Sequence, residues 1–172
     1  MGSLTSVIII GVLIAFVATA LIFIVKNIIT PSKIDGIPKL IKDGRFQAAQ
    51  RCAKSVISKN PRNYLAHYFL GKAYLKDGKP ELAFIEYKTV NQNALFNGEI
   101  PEAEFRKEMA ELYKRFNQPD EALKEYLLLT KLEPNNPENT FKAAEIIETQ
   151  GNAKLAMGSY QKSILLNKRY VK

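Results

Sequence analysis

Chemistry at neutral pH needs nucleophiles, acids, bases or metal ligands in reach of one another, and this chain is short of all of them. It holds one histidine, His67, and one cysteine, Cys52. No Ser/His/Asp or Cys/His arrangement, phosphate-gripping glycine loop or metal-spaced His/Cys/carboxylate cluster accompanies them. A single thiol excludes an intrachain disulfide and a cysteine-rich zinc site. No enzymatic role, cofactor or metal is therefore expected. Cys52 reads as a small apolar side chain buried in a helix, and His67 as a packing or groove-lining residue. What the chain has in quantity is charge on long side chains, 25 Lys/Arg and 17 Asp/Glu. Such groups suit non-covalent recognition.

The charge is unevenly spread. The first 25 residues carry none. From Lys26 to Asn63 nine basic residues face two acidic ones, Asp35 and Asp43, and the remainder is nearly balanced. A short basic stretch beside an apolar run suits anionic lipid head groups. It does not suit a nucleic-acid platform, which needs basic residues spread along a groove with stacking aromatics.

The run from Leu4 to Val25 is uncharged. As a helix rising about 1.5 Å per residue it would span about 33 Å, enough for a hydrocarbon core of roughly 30 Å. A transmembrane anchor over residues 1–29 is expected, with the lipid bilayer as one partner. Lys26, Lys33, Lys39, Lys42 and Arg45 follow the run and no Lys or Arg precedes it. The positive-inside rule then puts the C-terminal domain in the cytoplasm, at a bacterial inner membrane. Gly11, Ala15 and Thr19 make a small-residue stripe for transmembrane helix packing. Pro31 ends the segment, with Thr30 and Ser32 around it as a short linker.

The rest of the chain, residues 30–172, is indexed by a repeated pattern of helix pairs. Units run over residues 30–63, 64–97, 103–136 and 137–170, with 98–102 inserted. Unit position 8 is small where two helices cross: Gly71, Ala110 and Ala144, with Ile37 in the first unit. Position 11 is large and apolar: Leu40, Tyr74, Tyr113, Ile147. Position 15 must be left-handed to end the first helix: Gly44, Gly78, Asn117, Gly151. Position 20 is alanine throughout: Ala49, Ala83, Ala122, Ala156. Position 24 is Tyr87, Tyr126 and Tyr160, with Ala53 in the first unit. Position 27 holds Val56, Val90 and Leu129, with Ser163 and its neighbour Ile164 in the fourth. Pro61 and Pro134 stop two of the second helices. In the first unit, Gly36-Ile37-Pro38 would shorten the first helix.

This pattern resembles the tetratricopeptide repeat family, with its period of about 34 residues, in the form of an N-terminally membrane-anchored bacterial protein. The resemblance implies an all-α fold: one transmembrane helix, then a right-handed α-solenoid of about four helix pairs, stabilised by stacking each unit on its neighbours. The tryptophan usual at position 4 is absent; Lys33, His67, Arg106 and Thr140 stand there.

In such arrays the first helices line the inner groove. That places Leu65, Tyr68, Lys72, Leu75 and Lys76 in the second unit. Glu104, Lys107, Glu111, Lys114 and Arg115 follow in the third, and Glu138, Phe141, Glu145, Glu148 and Thr149 in the fourth. The groove is expected to be amphipathic, then mixed, then acidic. The family's clamp for the carboxylate of chaperone tails is not matched at its Lys, Asn and Arg places. In the last unit Leu155, Tyr160, Ile164 and Leu165 form an apolar face on which a partner or a second copy would stack.

The expected function is a membrane-anchored adaptor or scaffold for protein–protein interaction. The alternatives are a structural subunit of a large envelope machine (a flagellar motor accessory ring, a pilus or a secretion system) and an anchored import or chaperone-type receptor. The partners are proteins, including other copies of the chain; nucleic acid is not among them.

Overall fold

The computed structural model describes the backbone of residues 2–24, 34–96 and 98–170, and the side chains of 10–21, 34–96 and 98–168. Among the described residues there are nine α-helices and no strand. They are α1 (Gly2–Ile24), α2 (Ile37–Lys42), α3 (Phe46–Lys59), α4 (Tyr64–Lys76), α5 (Pro80–Asn93), α6 (Glu102–Arg115), α7 (Pro119–Leu132), α8 (Pro137–Thr149) and α9 (Ala153–Tyr170).

Helix α1 contains no charged residue. Among the described residues no helix is long and apolar enough to cross a membrane. This corrects the expected fold class, which included an N-terminal transmembrane helix, and the expected single-pass localisation at a membrane. Gly11, Ala15 and Thr19 are exposed on α1, with open space around Gly11. The linker Thr30-Pro31-Ser32 and the basic residues Lys26 and Lys33 lie outside the described residues.

From α2 onward the helices pack in consecutive pairs, α2 with α3, α4 with α5, α6 with α7 and α8 with α9, and each pair packs on the next. The turns inside the pairs share one mechanism. Gly44, Gly78, Asn117 and Gly151 all have positive φ, between 55° and 83°. The following N–H reaches back to the carbonyl at unit position 11: Arg45 to Leu40, Lys79 to Tyr74, Gln118 to Tyr113 and Asn152 to Ile147. The left-handed residue's own N–H bonds Ile41, Leu75, Lys114 or Glu148. This is the six-to-one and five-to-two pairing that satisfies the last carbonyls of a helix. The next helix then starts at once, on Pro80 in α5 and Pro119 in α7, where a missing N–H costs nothing.

The crossings behave as their residue sizes require. Ala49, Ala83, Ala122 and Ala156 are buried to within 1%. Gly71, Ala110 and Ala144 are buried beside them. The first unit inverts the pattern: Ile37 fills the small position and Ala53 replaces the tyrosine, both at 0% exposure in one core cluster. The large and small partners have exchanged places, so the volume at the crossing is kept. Helix α2 is short, as the Gly-Ile-Pro sequence requires, and a single 3-10 turn, Ile34–Gly36, precedes it. Ser163, not Ile164, turns inward in α9, and its hydroxyl donates to the carbonyl of Pro137 at 2.8 Å.

Candidate partner-binding groove

Between the second and third units the inserted segment packs as a wedge. Ile100 is 4% exposed, and Phe96 lies 5.4 Å from Phe105, which also meets Tyr87 at 5.1 Å. Phe84 stacks on Phe116 at 4.7 Å and meets Tyr113 edge-on at 5.4 Å. These rings fill the junction and set how α6 sits beside α4 and α5.

Two polar links, one in each middle unit, hold the paired helices together where the family's indole is missing. His67 Nδ1 lies 2.6 Å from Glu86 Oε2, and Nε2 lies 3.1 Å from the carbonyl of Pro61. Arg106 donates to Glu125 Oε2 at 2.8 Å and to Glu102. Asn91 donates to the other oxygen of Glu125 at 3.1 Å, and the guanidinium lies over the Phe96 ring at 5.0 Å. Burial pulls the pKa of the Arg106 guanidinium down, yet the hydrogen bonds to Glu125 and Glu102 outweigh it, and the group titrates above its ordinary value. His67 is thus a packing residue within its own unit. Cys52, expected to be buried, is exposed. It stands at the unit position of Glu86 and Glu125.

A cleft of about 310 Å³ opens between α4 and α6, lined by Leu75, Pro80, Lys107, Glu108, Glu111, Leu112 and Arg115. Five of the residues placed on the groove by sequence come together here: Leu75, Lys107, Glu111 and Arg115 on the lining, and Lys76 next to Leu75. Sequence reasoning missed Glu108, Leu112 and Pro80. Glu108 accepts a hydrogen bond from the Tyr87 hydroxyl, and Glu111 accepts one from Tyr126. Desolvation holds the Glu108 carboxyl above the usual carboxylate range, against the opposing pull of the Tyr87 hydroxyl and Lys72. Burial likewise raises Tyr87 and Tyr126 above the ordinary phenol value.

Around the cleft the remaining groove residues are tied in pairs. Tyr68 is 1% exposed, a core ring stacked on Tyr87 at 6.0 Å, and only its hydroxyl reaches the rim. Lys72 donates to that hydroxyl at 3.2 Å and to Glu104. The Tyr68 phenol is pushed up to about 12, chiefly by burial. Lys107 pairs with Glu133 at 3.0 Å and Lys114 with Glu111 at 3.3 Å. Leu65 lines a separate cavity of about 350 Å³ with Arg62, Leu95 and Ile100. On α8, Phe141 is 43% exposed and packs on Tyr160 at 5.3 Å. Glu145 takes Lys142 at 3.0 Å, and Glu148 accepts from Tyr160 at 2.8 Å. Leu155, Ile164 and Leu165 are exposed on α9, whereas Tyr160 is half-buried. Among the described residues no group of three His, Cys, Asp or Glu could hold a metal ion.

Helix pairs that cross at small residues, turn on a left-handed residue and stack pair upon pair define a tetratricopeptide repeat array. Residues 38–94 match the model of the tetratricopeptide repeat family. Solved structures extend the likeness to most of the chain. It is similar to YrrB, a TPR protein with an unusual peptide-binding site, at 15% identity over 87% of this chain and 74% of that one, with a TM-score of 0.71. A crystal structure of MamA matches at 15% identity over 86% and 85%, with a TM-score of 0.65, and MamA MSR-1 at 21% over 78% and 74%, with a TM-score of 0.62. No curated protein matches by sequence. What the chain shares with these structures is the fold.

Proposed function

We propose that the chain is an adaptor whose first helices α4, α6 and α8 dock a peptide segment of a partner protein. The observation that carries this reading is the cleft at Leu75, Pro80 and Leu112. It is an apolar floor in an otherwise charged surface, at the lower end of ligand-pocket size. The neighbouring carboxylates are already satisfied by tyrosine hydroxyls and lysines, so the cleft is shaped before a partner arrives. The peptide-binding site of YrrB supports the reading by analogy of fold.

The test is site-specific photo-crosslinking in the native cell. A benzophenone side chain at Leu75 and one at Phe141 should capture the same discrete partner. The same group at Leu128, exposed on α7, should not. Equal capture from all three positions would remove the groove from consideration.

A second reading has its own observation. Leu155, Ile164 and Leu165 are 55%, 55% and 64% exposed on α9, an apolar face on which another subunit or a second copy would stack. Sedimentation of the purified chain decides it. Leu165→Glu should shift an assembled species to the monomer, and a monomer at every concentration would refute stacking between copies.

A further inference from the structure

The cations around the α4–α6 cleft are not all in use. Lys72 is held by Glu104, Lys107 by Glu133 and Lys114 by Glu111. Lys76 and Arg115 have no ion pair or hydrogen bond among the described residues, and both side chains are exposed. Arg115 lines the cleft, and Lys76 lies close enough for its charge to act on Glu108. They occupy the last turns of α4 and α6. A guanidinium that is not shared can take a carboxylate through two parallel hydrogen bonds.

The acids in the same cleft point the other way. Glu108 and Glu111 are already acceptors of tyrosine hydroxyls, and Glu111 also holds Lys114. A basic ligand would have to compete with those donors, whereas an acidic one finds two unshared cations. The floor of Leu75, Pro80 and Leu112 offers no polar side-chain group, and the volume of about 310 Å³ suits one or two aliphatic side chains rather than a folded element.

We propose that this cleft selects a partner segment in which an aliphatic side chain, seated on Leu75, Pro80 and Leu112, stands next to an Asp or Glu whose carboxylate is taken by Arg115 and Lys76. The proposal rests on the groove reading above and names the peptide that the groove accepts. The acid is an internal side chain rather than a chain terminus, since the exposed Phe141 of α8 offers the same segment a further apolar contact beyond α6.

The experiment is selection of random heptapeptides, displayed on the N-terminus of a phage coat protein, against the purified full chain. The displayed peptides have no free carboxyl terminus. The expected result is enrichment of sequences with Leu, Ile, Val or Met next to Asp or Glu. A recovered peptide, labelled and followed by fluorescence anisotropy, should lose about tenfold or more in affinity with Arg115→Glu and with Lys76→Glu. Lys131→Glu, an equal charge change on exposed α7, should leave its affinity within about twofold. Circular dichroism checks that each variant is folded. Enriched peptides without acidic residues that bind equally to Arg115→Glu, yet weaken with Leu75→Ala, would overturn this inference and leave the groove standing. Peptides that bind equally to Leu75→Ala and Phe141→Ala would overturn the groove itself, as would a library that enriches nothing. A recovered peptide that, synthesised, binds with a free C-terminal carboxylate but not with an amidated one would overturn the internal-acid assignment.

Discussion

The Tyr87 ring of α5 lies directly on Gly71 of α4. A Cβ built on Gly71 would come within 2.3 Å of both Cδ1 and Cε1 of that ring, and the ring is itself 0% exposed. The glycine is required by close approach, not by backbone conformation, since it sits inside a helix. Gly71→Ala is expected to destabilise the domain. Overpacking costs about 1–3 kcal/mol, and the better helix propensity of alanine returns about 1 kcal/mol at most. Urea denaturation followed by circular dichroism measures the difference. A variant more stable than the parent would mean that the ring moves aside freely.

The same crossing shows how far the sequence alone could be read. Residue sizes at unit positions 8, 20 and 24 and the glycine or asparagine at position 15 recur at one period, so each is visible without knowing what it touches. Side-chain pairs between helices are not visible in that way. His67–Glu86 and Arg106–Glu125 were hidden because the position 4 member changes type between units, although position 23 is Glu in both and both pairs are separated by 19 residues. That constant offset, opposite polarity at positions 4 and 23, was the available signal. For Ile100 there was none, since an insertion has no repeat to be compared with. Of the candidate groove, the charged rim could be placed by position, whereas the burial of Tyr68 and Glu108 depends on how the aromatic wedge spaces α4 from α6.

The Arg106–Glu125 pair gives a second prediction. Glu125 is 4% exposed, and its carboxylate has only Asn91 left if the guanidinium is removed. Arg106→Met should cost about 3–5 kcal/mol, because a buried charge is left with too few partners. Arg106→Met combined with Glu125→Leu should recover most of that loss. A double-mutant cycle in urea measures both, and a double variant as unstable as the single one would show that packing of the long arginine stem, and not charge, carries the effect.

Two carboxylates make opposite contributions to the pH dependence of stability. Glu133 is held below the usual carboxylate range, first by the Asn139 side-chain amide and then by Asn136 and Lys107. Its contribution is present above the unfolded carboxylate value and is lost as pH falls through the folded one. Glu108 is held above the range by desolvation. The folded state then binds its proton more tightly, so stability falls as pH rises from the ordinary carboxylate value through the folded one. Glu133→Gln should therefore lower Tm at pH 7 and have little effect in strong acid. Glu108→Gln, which still accepts from Tyr87, should raise Tm at pH 7 and lose that advantage near pH 4. Scanning calorimetry across pH decides, and curves that shift in the same direction would refute the assignment.

Asn117 is the one described residue other than glycine with a positive φ, 55°. It stands where the other three units have glycine, and its N–H bonds the carbonyl of Lys114 at 3.0 Å. Asparagine enters the left-handed region more readily than most side chains because its short amide bonds the local backbone, whereas a β-branched residue meets the following carbonyl. Asn117→Val should destabilise the domain by about 1–2 kcal/mol. Asn117→Gly should fall within about 1 kcal/mol of the parent, since relief of strain is set against a more flexible unfolded chain. Both are read from urea midpoints at constant slope. Equal stability of the valine and glycine variants would mean that the turn between α6 and α7 can rearrange, and that the reach from Gln118 to Tyr113 does not hold the pair together.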